Sequence, residues 1–267
     1  MMAAIILHIS MPAAGKMVIA ADPPSPIAAD PPNPELPGTF SCKLNLTQYI
    51  DPSGPSGMTF DSHGSGSIQM DAAGRGKSRI HLNLTTVTTL PAGTSVSVIS
   101  NITDYVAGAS WQQMCTSAAG GPMVCNCVHS KVTGHLADES QNTSGWSYVG
   151  DATIAGEPCT EWLASTPGTG PATPDVTANY FVTKAHPPVL RKSLGNFTGN
   201  TMEETMNGYV LGPPPPSTWA PPPEWKCPTV PELVPAAAGQ PPSRFQTTLH
   251  VQLAQMAVIA QQIGNPK

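Results

Sequence analysis

Between Thr39 and Ile50 apolar residues occupy every second position: Phe40, Cys42, Leu44 and Leu46 in TFSCKLNLTQYI. A period of two predicts a strand with one buried face. The alternation returns at Ile80, Leu82 and Leu84 in SRIHLNL, after SGSIQMD and a Gly-rich turn. Further strand-sized runs are TSVSVISNIT, DYVAGASWQQM, PMVCNCVHS, GWSYVGDATI, EPCTEWLAS, VTANYFVTK, PVLRKSLGNF and TMNGYVLG. Turn residues separate them from residue 39 to 211, a spacing that predicts an antiparallel sandwich or barrel. HGSGS at His63–Ser67 reads as a turn ahead of the strand holding Ile68 and Met70.

Two later segments break this pattern. GPPPPSTWAPPPEWKCP, residues 212–228, is too rich in proline for helix or central strand and reads as polyproline II. It carries Trp219, Trp225 and Cys227, which a plain linker would not need, so it is expected to be a strap pinned to the domain surface. PPSRFQTTLHVQLAQMAVIAQQIGNPK then predicts an amphipathic helix. Ser243 and Gln246 fit a capping box, and Phe245, Leu249, Leu253, Met256 and Ile263 form its apolar stripe. The predicted organisation is a signal-like, Pro-rich disordered leader over 1–37, one β domain over 38–230 including the strap, and a linker with the helix over 231–267.

Composition narrows the function classes. Of 267 residues only 11% are charged, with 12 basic and 17 acidic groups for a net charge of −5. No basic cluster offers a footprint for nucleic acid. The six cysteines, Cys42, Cys115, Cys125, Cys127, Cys159 and Cys227, contain no CxxC pair. Their even number and wide spacing suit structural disulfides in an oxidising compartment. Cys227 is expected to bridge to Cys125 or Cys127, and Cys42 or Cys115 to Cys159. Five sequons, at Asn45, Asn83, Asn101, Asn142 and Asn196, agree with a secreted or extracellular glycoprotein, or one in a lysosomal or vacuolar lumen. The apolar runs near the N-terminus are short, broken by His8, Pro12 and Lys16, and no transmembrane segment is predicted.

Candidate chemistry is sparse. In CNCVH, the side chains of Cys125, Cys127 and His129 would share one strand face and could hold copper or zinc. Bridged cysteines and an exposed histidine explain the same residues. No nucleophile motif has the right spacing, and no Gly-rich phosphate cradle opens a helix. Neither an enzyme nor a cofactor is expected.

SIQMD and SRIHL, then GWSYV, CTEW, NYFVTKAHPPVLRKSLGNFTG and NGYVLGPPPPSTWAPPPEWKCP, together resemble an ependymin-related protein over residues 38–228. In that family an acidic strand end precedes a basic strand, as Asp71 precedes Arg79-Ile80-His81. Cys159 and Pro188-Val189 match a later cysteine and a PV element, and Pro222, Pro223 and Cys227 echo a closing P-P-x-x-C segment. The resemblance implies a mainly β fold, an open, curved antiparallel half-barrel shared with bacterial outer-membrane lipoprotein carriers and enclosing an apolar cavity. A two-layer sandwich is the alternative architecture. The expected function is binding or sequestering a lipid or other hydrophobic small molecule. Inward positions expected to line the cavity are Leu44, Leu46, Ile80, Leu82, Val96, Val98, Tyr180 and Val182. The competing functions are a structural Pro-rich glycoprotein of wall or matrix, and a metal-binding protein built on the Cys125/Cys127/His129 strand.

Overall fold

The computed structural model describes residues 30–50, 60–72, 78–90, 93–118, 120–132, 143, 145–166, 176–197 and 200–230. The chain divides into two compact units, Met1–Pro31 and Pro32–Lys267, and the described sheet lies in the second. Residues predicted to form the leader before residue 30, and the predicted C-terminal helix, lie outside the described residues.

Among the described residues twelve strands form one sheet. They are β1 (Thr39–Ile50), β2 (Phe60–Asp71), β3 (Arg79–Leu90), β4 (Gly93–Asp104), β5 (Ala109–Ala118), β6 (Val124–Lys131), β7 (Ser147–Ile154), β8 (Glu157–Thr166), β9 (Val176–Thr183), β10 (Leu190–Phe197), β11 (Asn200–Leu211) and β12 (Thr229–Val230). Their spatial order is β12-β6-β5-β4-β3-β2-β1-β11-β10-β9-β8-β7. Every pairing is antiparallel except the two-residue β12, which runs parallel to β6. A single open, curved sheet thus stands where a two-layer sandwich was the alternative.

The predicted alternation of β1 and β3 holds. Phe40, Cys42, Leu44 and Leu46 are buried, while Lys43, Asn45 and Thr47 between them are exposed. Directly paired residues share a face. Leu44 opposes Gly66 of β2 and Met206 of β11, Gly66 opposes Leu84, and Leu84 opposes Ile99. Leu44, Leu84, Ile99, Ile68, Met70, Met202 and Met206 are each at most 2% exposed. They lie on the concave face, where curvature gathers residues from β1–β3 and from β8–β11 into one core.

HGSGS is not the turn its glycines suggest but the middle of β2. A Cβ on Gly66 would fall on the Asn83 carbonyl of β3, and one on Gly64 would press the Thr86 methyl. Glycine permits the close approach of neighbouring strands where the sheet bends sharply.

The strap crosses the convex face. Gly212 leaves β11 with φ +108°, and its amide donates to the Thr39 carbonyl. Pro215 has the polyproline geometry expected, but Pro216–Trp219 then form one 3-10 turn, a correction to an unbroken polyproline strap. Proline is well suited to the start of such a turn, where its missing amide is not required. Trp219 is buried over β3 and β4, with Arg79 beside its ring. Further on, Cys227 is bonded to Cys127, and the His129 amide donates to the Pro228 carbonyl.

Candidate functional site: the concave face

Cross-strand register arranges the concave face in rows. The row through Cys42 reads Cys42, Ile68, Leu82, Asn101, and its neighbour reads Met206, Leu44, Gly66, Leu84, Ile99. Both are largely apolar and form the floor of the face. At the β7–β9 flank the floor gives way to aromatics. Trp146 and Tyr180 stack with ring centres 4.2 Å apart, and Tyr148 meets the Trp162 ring edge-on at 5.5 Å. Trp162 is buried, whereas Trp146, Tyr148 and Tyr180 keep partial exposure. The flank is therefore where the apolar face keeps side chains open to solvent.

The next two rows change chemistry. One reads Glu204, Leu46, Gly64, Thr86, Ser97, and the other Met202, Gln48, Ser62, Thr88, Ser95. Gln48, Ser62, Thr86, Thr88, Ser95, Ser97 and Glu204 are all buried. Several have hydrogen-bond partners: the Ser62 and Thr88 hydroxyls are 3.1 Å apart, Ser95 donates to the Ser117 carbonyl, and Ser193 donates to Glu204 at 2.9 Å. The concave face is thus apolar in its middle, aromatic at one flank and hydroxyl-rich at one end.

Of the eight positions expected to line a cavity, Leu44, Leu46, Ile80, Leu82, Tyr180 and Val182 share the concave face. Leu44 and Leu46 belong to the packed core rather than to a rim. Val96 and Val98 point the other way: they pair with Val87 and Thr85, on the convex face. In TSVSVISNIT it is Ser95, Ser97 and Ile99 that turn inward. The polar rows and the aromatic partners Trp146, Tyr148 and Trp162 were not among the expected site residues. Their signal was present, because the alternation of β1 and β3 continues past Leu46 and Leu84 into Gln48, Thr86 and Thr88.

The cysteines correct the predicted framework in part. Cys227 bonds to Cys127, one of the two partners expected. Cys115 bonds to Cys125, its direct cross-strand neighbour in the β5–β6 hairpin, and not to Cys159. Cys42 and Cys159 are buried thiols outside any disulfide. Four strand steps separate β1 from β8, and Cys42 faces the concave side whereas Cys159 pairs with Thr183 on the other, so no bridge can join them. Burial, reinforced by the Glu157 carboxylate, pushes the Cys159 thiol above its ordinary pKa.

Cys125, Cys127 and His129 do share the convex face of β6. Both sulfurs are committed to disulfides, which removes them as thiolate ligands. His129 stacks on Trp111 with ring centres 5.2 Å apart and lies 3.2 Å from the Thr229 hydroxyl. No group of three metal-ligating side chains occurs among the described residues.

Sequon positions separate by face. Asn45, Asn83 and Asn196 are exposed on the convex side. Asn101 pairs with Leu82 on the concave face, and its side-chain oxygen accepts from the Thr103 hydroxyl. Asn142 lies outside the described residues.

No family model and no curated protein matches the chain, so the ependymin resemblance remains a likeness of short motifs. Solved structures give distant likenesses only. The lipoprotein LppX of Mycobacterium tuberculosis is 12% identical, with 64% of this chain set against 87% of that one at a TM-score of 0.36. LprF of Mycobacterium bovis is 11% identical, with 67% set against 90% at 0.33. A β-barrel-like protein from Brucella abortus, a domain of unknown function, is 9% identical, with 66% set against 99% at 0.36. Likeness at these scores assigns neither ligand nor activity. Among the described residues no helix is long and apolar enough to cross a membrane.

Proposed function

We propose that this protein is a secreted, non-enzymatic carrier that binds or sequesters a lipid or other hydrophobic molecule on the concave face of its sheet. The observation that carries the reading is the apolar floor running to a partly exposed aromatic flank of Trp146, Tyr148 and Tyr180. A purely structural stalk has no need of such a face. Two disulfides among the described residues suit an oxidising compartment.

Affinity follows from the size of the ligand. Each buried CH₂ contributes about 0.8 kcal/mol, so a sixteen-carbon chain gains at most ~13 kcal/mol. Against this stand roughly 4–15 kcal/mol of lost freedom and ordering. The balance gives reversible, modest binding, as transport requires. Mass spectrometry of lipid co-purifying with the natively folded, disulfide-intact protein tests the reading, together with titration by a fluorescent fatty acid analogue. Absence of saturable binding to any apolar probe would overturn it. The alternative would then be a structural glycoprotein of wall or matrix, favoured by the proline strap and by the exposed asparagines of the convex face.

A further inference from the structure

The two polar rows at the Gln48 end of the concave face are unusual for the interior of a sheet. Burying a hydroxyl or amide without a partner is costly, and aliphatic residues could have continued the pattern of the floor. Instead Gln48, Ser62, Thr86, Thr88, Ser95 and Ser97 stand side by side on four adjacent strands, each less than a tenth exposed. Gln48 is 4% exposed, and its side-chain nitrogen is buried with no hydrogen-bond partner. Such an orphaned amide in a native fold calls for an explanation, and a ligand oxygen that accepts from it is one.

Charge restricts what that ligand can be. These rows contain no Lys, Arg or His, and their one ionisable residue is the acid Glu204, held by Ser193. A carboxylate or phosphate head would lose its hydration and meet no cation in these rows. An uncharged head with ester and hydroxyl oxygens meets the opposite conditions. The amide and hydroxyls of Gln48, Ser62, Thr86, Thr88, Ser95 and Ser97 donate and accept hydrogen bonds without carrying charge.

We infer that the hydroxyl-rich end of the concave face selects the uncharged, oxygen-bearing head of an amphiphile, such as an acylglycerol, while the apolar floor holds its chain. This rests on the carrier reading and adds the class of ligand to it. The rows run directly into the floor, since Leu46 sits beside Glu204 and Gly64 while Leu44 lies one row further along β1. Head and chain positions are therefore continuous along single strands.

The test compares monopalmitoylglycerol with palmitate at pH 8, both displacing the neutral apolar dye Nile red from the full chain. The glyceride is expected to displace the dye at a concentration about tenfold lower, because it satisfies a buried donor that the anion meets only at the cost of its own desolvation. Gln48→Leu should bring the two concentrations close together. Thr86→Val, nearly equal in volume, should narrow the difference in the same direction and serves if Gln48→Leu fails to fold. Palmitate displacing the dye as well as or better than the glyceride would overturn the inference alone. So would an unchanged preference in the folded variants. Failure of Nile red and both lipids to bind would overturn the carrier reading, and the ligand class with it.

Discussion

The guanidinium carbon of Arg79 stands 5.9 Å from the centre of the Trp219 ring, so strap and sheet meet through a cation resting on an aromatic face. Arg79 also bonds the Asp104 carboxylate at 3.2 Å, and that carboxylate caps the following turn by accepting the amides of Val106 and Ala107. One aromatic side chain thereby covers an ion pair that organises the β4–β5 connection. Trp219→Ala should destabilise the fold by about 3–5 kcal/mol, the range for deleting a buried large aromatic. Urea denaturation followed by circular dichroism measures this. A loss below about 1 kcal/mol, the scale of a surface change, would mean that the strap is not packed as described.

Close strand approach at the bend gives a graded prediction. Gly66→Ala drives a methyl group into the Asn83 backbone, which cannot move without breaking the β2–β3 ladder. Gly64→Ala meets the far end of a Thr86 side chain instead. Both should destabilise, Gly66→Ala by about 3 kcal/mol or more and Gly64→Ala by about 1 kcal/mol. Thermal unfolding of the two variants side by side provides the ranking. Equal effects would contradict it.

His81 makes stability depend on pH. It lies under the strap between Ser100, 3.3 Å from its Nε2, and Thr218, and burial lowers its pKa below the ordinary 6.5 despite the Thr218 backbone contact. The unfolded chain therefore takes up a proton at a higher pH than the folded one. His81 leaves stability undiminished above pH 6.5, and stability falls as pH drops from there through the folded-state value. Denaturant midpoints between pH 8 and pH 5 should decrease, and His81→Gln should flatten that dependence. The paired charges of Arg79 and Asp104 on the same face remain in the variant and serve as an internal control.

Thiol counting checks the covalent framework. Denatured without reductant, the chain should show two reactive thiols, Cys42 and Cys159, and six after reduction. Folded, both should react slowly because both are buried. Cys227→Ser should lose about 2–5 kcal/mol through the long loop that the Cys127–Cys227 bridge closes.

Faces separate the sequons as well. Passage through a eukaryotic secretory pathway should glycosylate Asn45, Asn83 or Asn196 and leave Asn101 bare, since a glycan there would have to occupy the concave face. Peptide mapping after enzymatic deglycosylation reads each site. A modified Asn101 in folded protein would show that this face is not interior.

Periodicity made the strands legible because β1 and β3 bury leucine and isoleucine at every second position. It failed at β4, where both faces are partly covered and the alternating residues are valine and serine. Hydrophobicity places Val96 and Val98 inside, yet pairing with Val87 and Thr85 places them outside and sends Ser95 and Ser97 inward. Only register decides such a strand, and register comes from its neighbours. The Cys115–Cys125 bridge depended on register too, though Gly120-Gly121 between the cysteines marks a hairpin that would bring them together. Leu82, expected to line the cavity, is 4% exposed within the core, so Leu82→Asp would test folding and not binding.

The Cys127–Cys227 bridge has a consequence for how damage to this protein would be seen. Every residue from Val128 to Lys226 lies within the covalent ring it closes, including five of the sheet's strands. A protease that cuts the backbone once inside that ring leaves both fragments tied together. The nicked molecule would migrate as an intact chain on a non-reducing gel and fall into two pieces only when thiol is added.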